Sequence, residues 1–242
     1  MSRTKYLSPA YQFGKSFFQI LLDFIYPPTC IQCNRRLDHS GFLCHECEEF
    51  ILNLMNPAFQ KGRHDFYHLE GEILFDEVIT FWDYTPEIEQ LIFQVKYQRK
   101  KKLGLFLGQQ LGKAFQTAYE NWKQCIVMPV PLHRIRHRER GYNQSDILCQ
   151  GINDCVNVPI YYDGLIRNRH TSTQTRLSAK ERQDNVKNAF EVNPSYSFQG
   201  KDIVLVDDVI TTGATVNNCA ACLKEAGARK VIGIALARPQ LD

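Results

Sequence analysis

Ile203-Val-Leu-Val206-Asp207-Asp208-Val-Ile-Thr211-Thr212-Gly213-Ala214-Thr215 joins an apolar run, two adjacent carboxylates and a hydroxyl-rich turn. The four apolar, mostly β-branched residues 203–206 read as a strand buried on both faces, as in a parallel sheet. Asp207 and Asp208 then stand where such a strand leaves the sheet, the edge at which open α/β folds place their ligands. Residues 216–226 carry helical periodicity, so the threonines line a helix start. Free backbone N–H groups and hydroxyls at that place make an anion site, suited above all to a phosphate. Carboxylates beside it accept hydrogen bonds from sugar hydroxyls, directly or through a hydrated Mg²⁺. The run predicts a site for a sugar phosphate. The plainer alternative is a strand–turn–helix whose acids merely cap the next helix, and two consecutive acids followed by T-T-G-x-T disfavour it. No G-x-x-x-x-G-K-[ST] and no G-x-G-x-x-G occurs, which removes support for a P-loop nucleotidase or a dinucleotide enzyme.

The same run resembles the phosphoribosyl pyrophosphate (PRPP) signature of the type I phosphoribosyltransferases. That resemblance implies that Asp207 and Asp208 are the catalytic pair and hold the ribose hydroxyls. It implies that Thr211, Thr212, Gly213, Ala214 and Thr215 cradle the 5′-phosphate, with Val206 beneath them. Mg²⁺ would accompany PRPP.

At 242 residues the chain suits one α/β domain plus a small appendage, expected as residues 61–242 and 1–60. Its formal charge of +3 is too small to indicate nucleic acid, but the basic residues cluster at 96–102, 134–140 and 167–182. The stretch 17–26, interrupted by Asp23, is too short to span a membrane and lacks a small-residue cleavage site. It is expected to form a helix whose apolar face packs on the chain, binds a partner or lies on a membrane surface. A cytoplasmic location is the simplest expectation.

Nine cysteines is an odd count, and Cys30-x-x-Cys33 and Cys44-x-x-Cys47 form two close pairs. Each pair can wrap its backbone around one side of an ion, and together they supply four soft thiolates. That is structural Zn²⁺ chemistry in a reducing compartment, with no open position for catalysis. His39 and His45 could substitute for a ligand, but four cysteines leave neither necessary. The zinc module either docks on the main domain or grips a partner. Cys219 and Cys222 repeat the spacing inside a predicted helix, where they read as small buried residues.

Along the main domain, residues 73–84 alternate like a strand, and Ile88, Leu91, Ile92 and Val95 mark a helix. A second amphipathic helix is expected over 103–122, a short strand over 126–131, a helix outlined by Ile147, Leu148, Gly151 and Ile152, and strands at 158–165 and 230–237. Alternating strands and helices predict a mostly parallel sheet flanked by helices. After Pro131, Arg134, Arg136, Arg138 and Arg140 fall on alternate positions of what reads as a loop. Such a loop could direct guanidinium forks at a pyrophosphate, follow a nucleic-acid backbone, or simply be solvated. Arg134 and Arg140 are assigned to the pyrophosphate. Lys96, Arg99, Lys100, Lys101, Lys102, Arg136, Arg138 and Tyr142 are assigned to a single strand, whose bases could stack on Tyr97, His133, His137, Tyr142 and His170 between the basic residues.

P-V-P-L-H-x-x-R-x-R-x-R-G-Y-N-Q (129–144) resembles the competence protein F family of phosphoribosyltransferase-like proteins. So do Arg167-x-Arg-x-Thr171-x-x-Gln174, Arg182-x-x-Asn185-x-x-x-Ala189-Phe190, the run V-L-V-D-D-V-I-T-T-G-A-T, the paired cysteines and Lys96-Tyr97. The similarity covers nearly the whole chain. It implies a type I phosphoribosyltransferase-like α/β fold, an N-terminal zinc finger and a role in uptake of single-stranded DNA during natural transformation. Partners would include PRPP or another ribose-phosphate ligand, single-stranded DNA and other competence proteins such as a DNA helicase. The alternative is an active phosphoribosyltransferase of nucleotide salvage, transferring phosphoribosyl from PRPP to a nucleobase. Against it stands the lack of an evident acceptor pocket, since no residue of 73–97 declares a base.

Overall fold

Pairing spreads from β6 (Asp202–Val209), the strand that carries the acid pair. It runs parallel to β7 (Lys230–Arg238) on one side and to β3 (Cys125–Pro129) on the other. β2 (Glu77–Asp83) is parallel to β7, and β1 (Met55–Gln60) adds an antiparallel edge, giving the order β1-β2-β7-β6-β3. This computed structural model describes residues 27–39, 41–60, 66, 69, 71–167 and 189–239. The expected helix at 17–26, His170 and the motif residues Arg169, Thr171, Gln174, Arg182 and Asn185 lie outside them.

Ile203 to Val206 are fully buried, as their apolar, β-branched run requires of a central parallel strand. β2 departs from the expected alternation, for Glu77 through Trp82 are all buried. It lies inside the sheet between β1 and β7, and residues pointing to either face are buried. Because the four parallel strands share one direction, the residues after Asp83, Pro129, Val209 and Arg238 gather at one sheet edge.

The helices are α2 (Pro86–Tyr97), α3 (Lys101–Ala118), α4 (Arg134–Arg140), α5 (Gln144–Val156) and α6 (Ala214–Glu225). α3 stops at Ala118 rather than at Trp122, since Tyr119 is already extended (φ −131°) and a 3-10 turn occupies Trp122–Gln124. α3 and α5 approach closely, and a methyl group on Gly108 would collide with the carbonyl oxygen of Leu148.

The arginine stretch expected as a loop is the helix α4. The His133 Nδ1 accepts a hydrogen bond from the Ile135 N–H (3.3 Å), and Gly141, at φ 78°, ends the helix in the left-handed region. At about 100° per residue, alternate positions fall on opposite faces, so the four arginines do not form one row. The strand expected at 158–165 is reduced to a bridge between Val127 and Ile160. β4 (Leu165–Arg167) pairs instead with β5 (Phe190–Val192) in a separate antiparallel sheet.

The chain divides into two compact units between Asn53 and Leu54, earlier than the expected boundary at residue 60. The reason is β1, which is hydrogen-bonded to β2 and so belongs with the second unit. In the first unit, Thr29 and Arg36 bridge antiparallel, and α1 (His45–Asn53) buries Ile51.

Candidate functional site

β6 delivers Asp207 and Asp208 to the shared edge with different surroundings. The Asp207 Oδ1 accepts hydrogen bonds from the Asp208 backbone N–H (2.8 Å) and from the Ser145 hydroxyl (3.3 Å). Burial is the largest influence on its carboxyl, and the neighbouring Asp208 charge adds to it, pushing the pKa up to about 7. The Asp208 N–H, the Lys96 charge and Ser145 pull the other way without cancelling that rise. Asp208, only 8% exposed, forms an ion pair with the Lys96 Nζ at 2.9 Å.

The turn after the acids is fastened from both sides. Gly213 sits at φ 80°, and a Cβ there would meet the Phe66 ring at 2.8 Å, so glycine is required for conformation and for space. Arg238 donates from Nε to the Thr211 carbonyl (3.2 Å), and its guanidinium lies 4.1 Å from the Phe66 ring centroid. The Thr212 Oγ1 accepts from the Ala214 N–H at 3.4 Å, where α6 begins. The first turn of any helix leaves N–H groups without intrahelical partners, so this one presents donors and the positive end of its dipole just beyond the acids.

Two expected assignments change. Lys96 is not part of an open basic surface, because it is ion-paired to Asp208 and only 20% of its side chain is exposed. Tyr142 cannot stack on a base, because it is buried and its hydroxyl donates to the Val95 carbonyl. Arg140 is also buried. Its Nη2 donates to the Tyr97 hydroxyl (3.2 Å), its guanidinium carbon lies 5.0 Å from that ring's centroid, and its Nε has no hydrogen-bond partner among the described residues. Arg134, Arg136 and Arg138 are exposed on α4, and Arg99, Lys100, Lys101 and Lys102 are exposed between α2 and the first turn of α3.

The sequence gives little sign of three further contributors. Ser145 touches Asp207 across 62 residues of chain. Asn143 caps α5 and donates from Nδ2 to the Val130 carbonyl (3.0 Å), tying α5 to the end of β3. Arg167 lies 5.1 Å from the Phe190 ring centroid with its Nε unpartnered among the described residues, and its charge interacts with both Asp207 and Arg136. The motifs at 129–144 and around Arg167 mark Asn143 and Arg167, whereas nothing in the sequence marks Ser145.

In the first unit, the sulfurs of Cys30, Cys33, Cys44 and Cys47 all lie within 4.8 Å of one another. This four-thiol group could hold a metal ion. Burial raises the Cys30 pKa, but the backbone N–H groups of Cys33, Cys44 and Gln32 outweigh that and bring it to about 6. Burial pushes the Cys47 thiol far in the other direction, and its three cysteine neighbours add to that. Asp38, His39 and His45 cluster separately, but both ring nitrogens of His39 are engaged, by the Asp38 carboxylate (2.8 Å) and the Leu43 carbonyl (3.1 Å). Among the described residues, no helix is long and apolar enough to cross a membrane.

Residues 157–240 match the phosphoribosyl transferase domain family. The chain is similar to competence protein F of Haemophilus influenzae, 31% identical over 221 residues, covering 86% of this chain and 96% of that protein. It is 32% identical over 207 residues to DNA utilization protein YhgH of Escherichia coli, covering 84% and 80% respectively. Competence protein ComFC of Bacillus subtilis is 25% identical over 185 residues, with 76% and 67% covered. Among solved structures, an allosteric regulatory enzyme of purine biosynthesis aligns with a TM-score of 0.42 at 22% identity, over 59% of this chain and 30% of that one.

Proposed function

The chain belongs to the competence protein F family, and on that premise we propose that it is a cytoplasmic protein of natural competence. In this reading it binds PRPP or a related ribose phosphate on a phosphoribosyltransferase fold and assists the uptake of single-stranded DNA. The observation that carries the proposal is the placement of Asp207 and Asp208 at the sheet edge, immediately before a fastened turn and a helix N-terminus. The acids accept the ribose hydroxyls, and Thr211, Thr212, Gly213, Ala214 and Thr215 take the 5′-phosphate, with Val206 behind them. Arg140 supports a pyrophosphate contact, because a buried guanidinium with no carboxylate ion pair among the described residues favours an anion. Arg134 is the exposed companion assigned to the same group. Mg²⁺ entering with PRPP would neutralise diphosphate charge beside Asp207 and Asp208.

The metal in the four-thiol group is proposed to be Zn²⁺. Bonds of about 2.3 Å to a tetrahedral ion place sulfurs about 3.8 Å apart, and the Cys33 and Cys44 sulfurs stand at 3.7 Å. Four thiolates leave no open position, so the ion's role would be structural.

A transferase is the second reading, and the burial of Asp207 beside Asp208 is what favours it. Asp207, with a pKa raised to about 7, is suited to accept a proton from an acceptor such as a nucleobase as pyrophosphate departs. The test is thermal shift with PRPP and Mg²⁺, in parallel with single-stranded oligonucleotides, followed by an assay for released pyrophosphate. Ligands that bind the native state raise its apparent stability. PRPP is expected to raise Tm in the wild type and not in Asp207→Asn/Asp208→Asn. An equal shift in the folded double variant would overturn the ribose-phosphate assignment.

A further inference from the structure

The last two turns of α2 carry Phe93 and Tyr97 on one face, four residues apart, with ring centroids at 5.0 Å. They are 46% and 56% exposed, while Ile88, Leu91, Ile92 and Val95 of the same helix are buried. Large rings held side by side in water cost free energy unless something covers them. Tyr97 is also fixed in place, because Arg140 both stacks on its ring and donates to its hydroxyl. Beyond Tyr97 the chain runs directly into Arg99, Lys100, Lys101 and Lys102, all exposed.

We propose that Phe93 and Tyr97, positioned by Arg140, are a stacking platform for unpaired bases of single-stranded nucleic acid whose backbone runs along Arg99, Lys100, Lys101 and Lys102. The inference rests on the single-strand part of the proposed function and gives its basic residues a ring surface, Phe93 and Tyr97, in place of the buried Tyr142. The charge pattern selects this occupant. An apolar protein partner gains little from four consecutive cations beside the rings, whereas a strand alternates a phosphate with a ring at close intervals. Aromatic faces accept any base, so the platform carries no sequence preference of its own. The adjoining residue Lys96 turns inward to Asp208, so consecutive residues of one helical turn serve the ribose-phosphate site and the platform.

The experiment compares wild type, Phe93→Ala/Tyr97→Ala and Tyr97→Phe in titrations with oligo-dT and with an abasic oligonucleotide of equal length, at low salt. Both rings removed in the double variant are exposed in the wild type, so its fold is expected to persist, checked by an unchanged Tm in the absence of ligand. Loss of stacking is expected to weaken oligo-dT binding roughly tenfold or more, to leave abasic binding unchanged, and to spare Tyr97→Phe. Equal affinity of wild type and double variant for oligo-dT overturns the platform and leaves the DNA reading intact. An equal loss on the abasic strand does the same. Failure of the wild type to bind any single strand overturns both. A wild-type dimer that the double variant abolishes, without change in DNA affinity, reassigns the patch to a second copy of the chain.

Discussion

Asp207 shows how much of this molecule's chemistry sits in single side chains. Its position could be read from the apolar run before it and the threonines after it, because strand, acids and turn are contiguous in sequence. Its state could not be read. The Ser145 hydroxyl and the Lys96 ammonium reach the acid pair from other helices, and the sequence alone places Lys96 among surface cations. The raised carboxyl has a measurable consequence. The native state holds the Asp207 proton more tightly than an unfolded aspartate does, whose pKa is about 4, so stability is predicted to fall as pH rises from there to about 7. Chemical denaturation at several pH values tests this, with Asp207→Asn expected to flatten the slope across that window. A slope across that window that is the same in wild type and Asp207→Asn would show that Asp207 carries no extra proton in the native state. The added negative charge of PRPP makes ligand affinity a separate quantity, to be followed in parallel.

At the scale of elements, β6, β7, α2 and α6 follow from apolar periodicity, since each buries a face that its own sequence spells out. α4 was misread because Arg-x-Arg-x-Arg-x-Arg has no apolar period. Its helix rests on end contacts instead, with His133 at the start and Gly141 at the close. β1 was missed for a related reason: Met55–Gln60 contains Pro57 and little β-branched character, and its pairing with β2 is a long-range contact. The glycine spacing in α3 (Gly104, Gly108, Gly112) was the unread signal for close packing against α5. Gly108→Ala tests it. Alanine would gain about 1 kcal/mol in helix propensity, but the methyl group meets the backbone oxygen of Leu148, which has no rotamer to move. Overpacking costs about 1–3 kcal/mol, so the variant is expected to be net destabilised in denaturant titration. A stabilised variant would show that α3 and α5 separate at little cost.

Over the whole molecule the two units are held by different physics. The unit from Leu54 onward has a five-stranded sheet and a continuous apolar core running from Val78 through Leu205 to Leu223. In the first unit, the buried apolar side chains among the described residues reduce to Cys30, Leu37, Leu43, Cys44 and Ile51, two of them thiols. Among the described residues this core is too small to offset the conformational entropy of ordering them, at about 1–2 kcal/mol per residue for the backbone alone. In the proposed reading metal–thiolate bonds supply the difference, which would make ion binding and folding one event in that unit. Chelation of the metal, or Cys30→Ser, is predicted to unfold residues 27–53 while the sheet persists. Hydrogen exchange followed by mass spectrometry distinguishes the units peptide by peptide. Amides such as the Asn34 N–H, bonded to the Cys30 carbonyl at 2.9 Å, should lose protection, whereas those of β6 and β7 should keep it. Elemental analysis of the untreated protein should show about one zinc per chain, as four thiolates closing a single tetrahedral site require. Retained protection across 27–53 after the metal is removed would show that the cysteines are not what folds this unit.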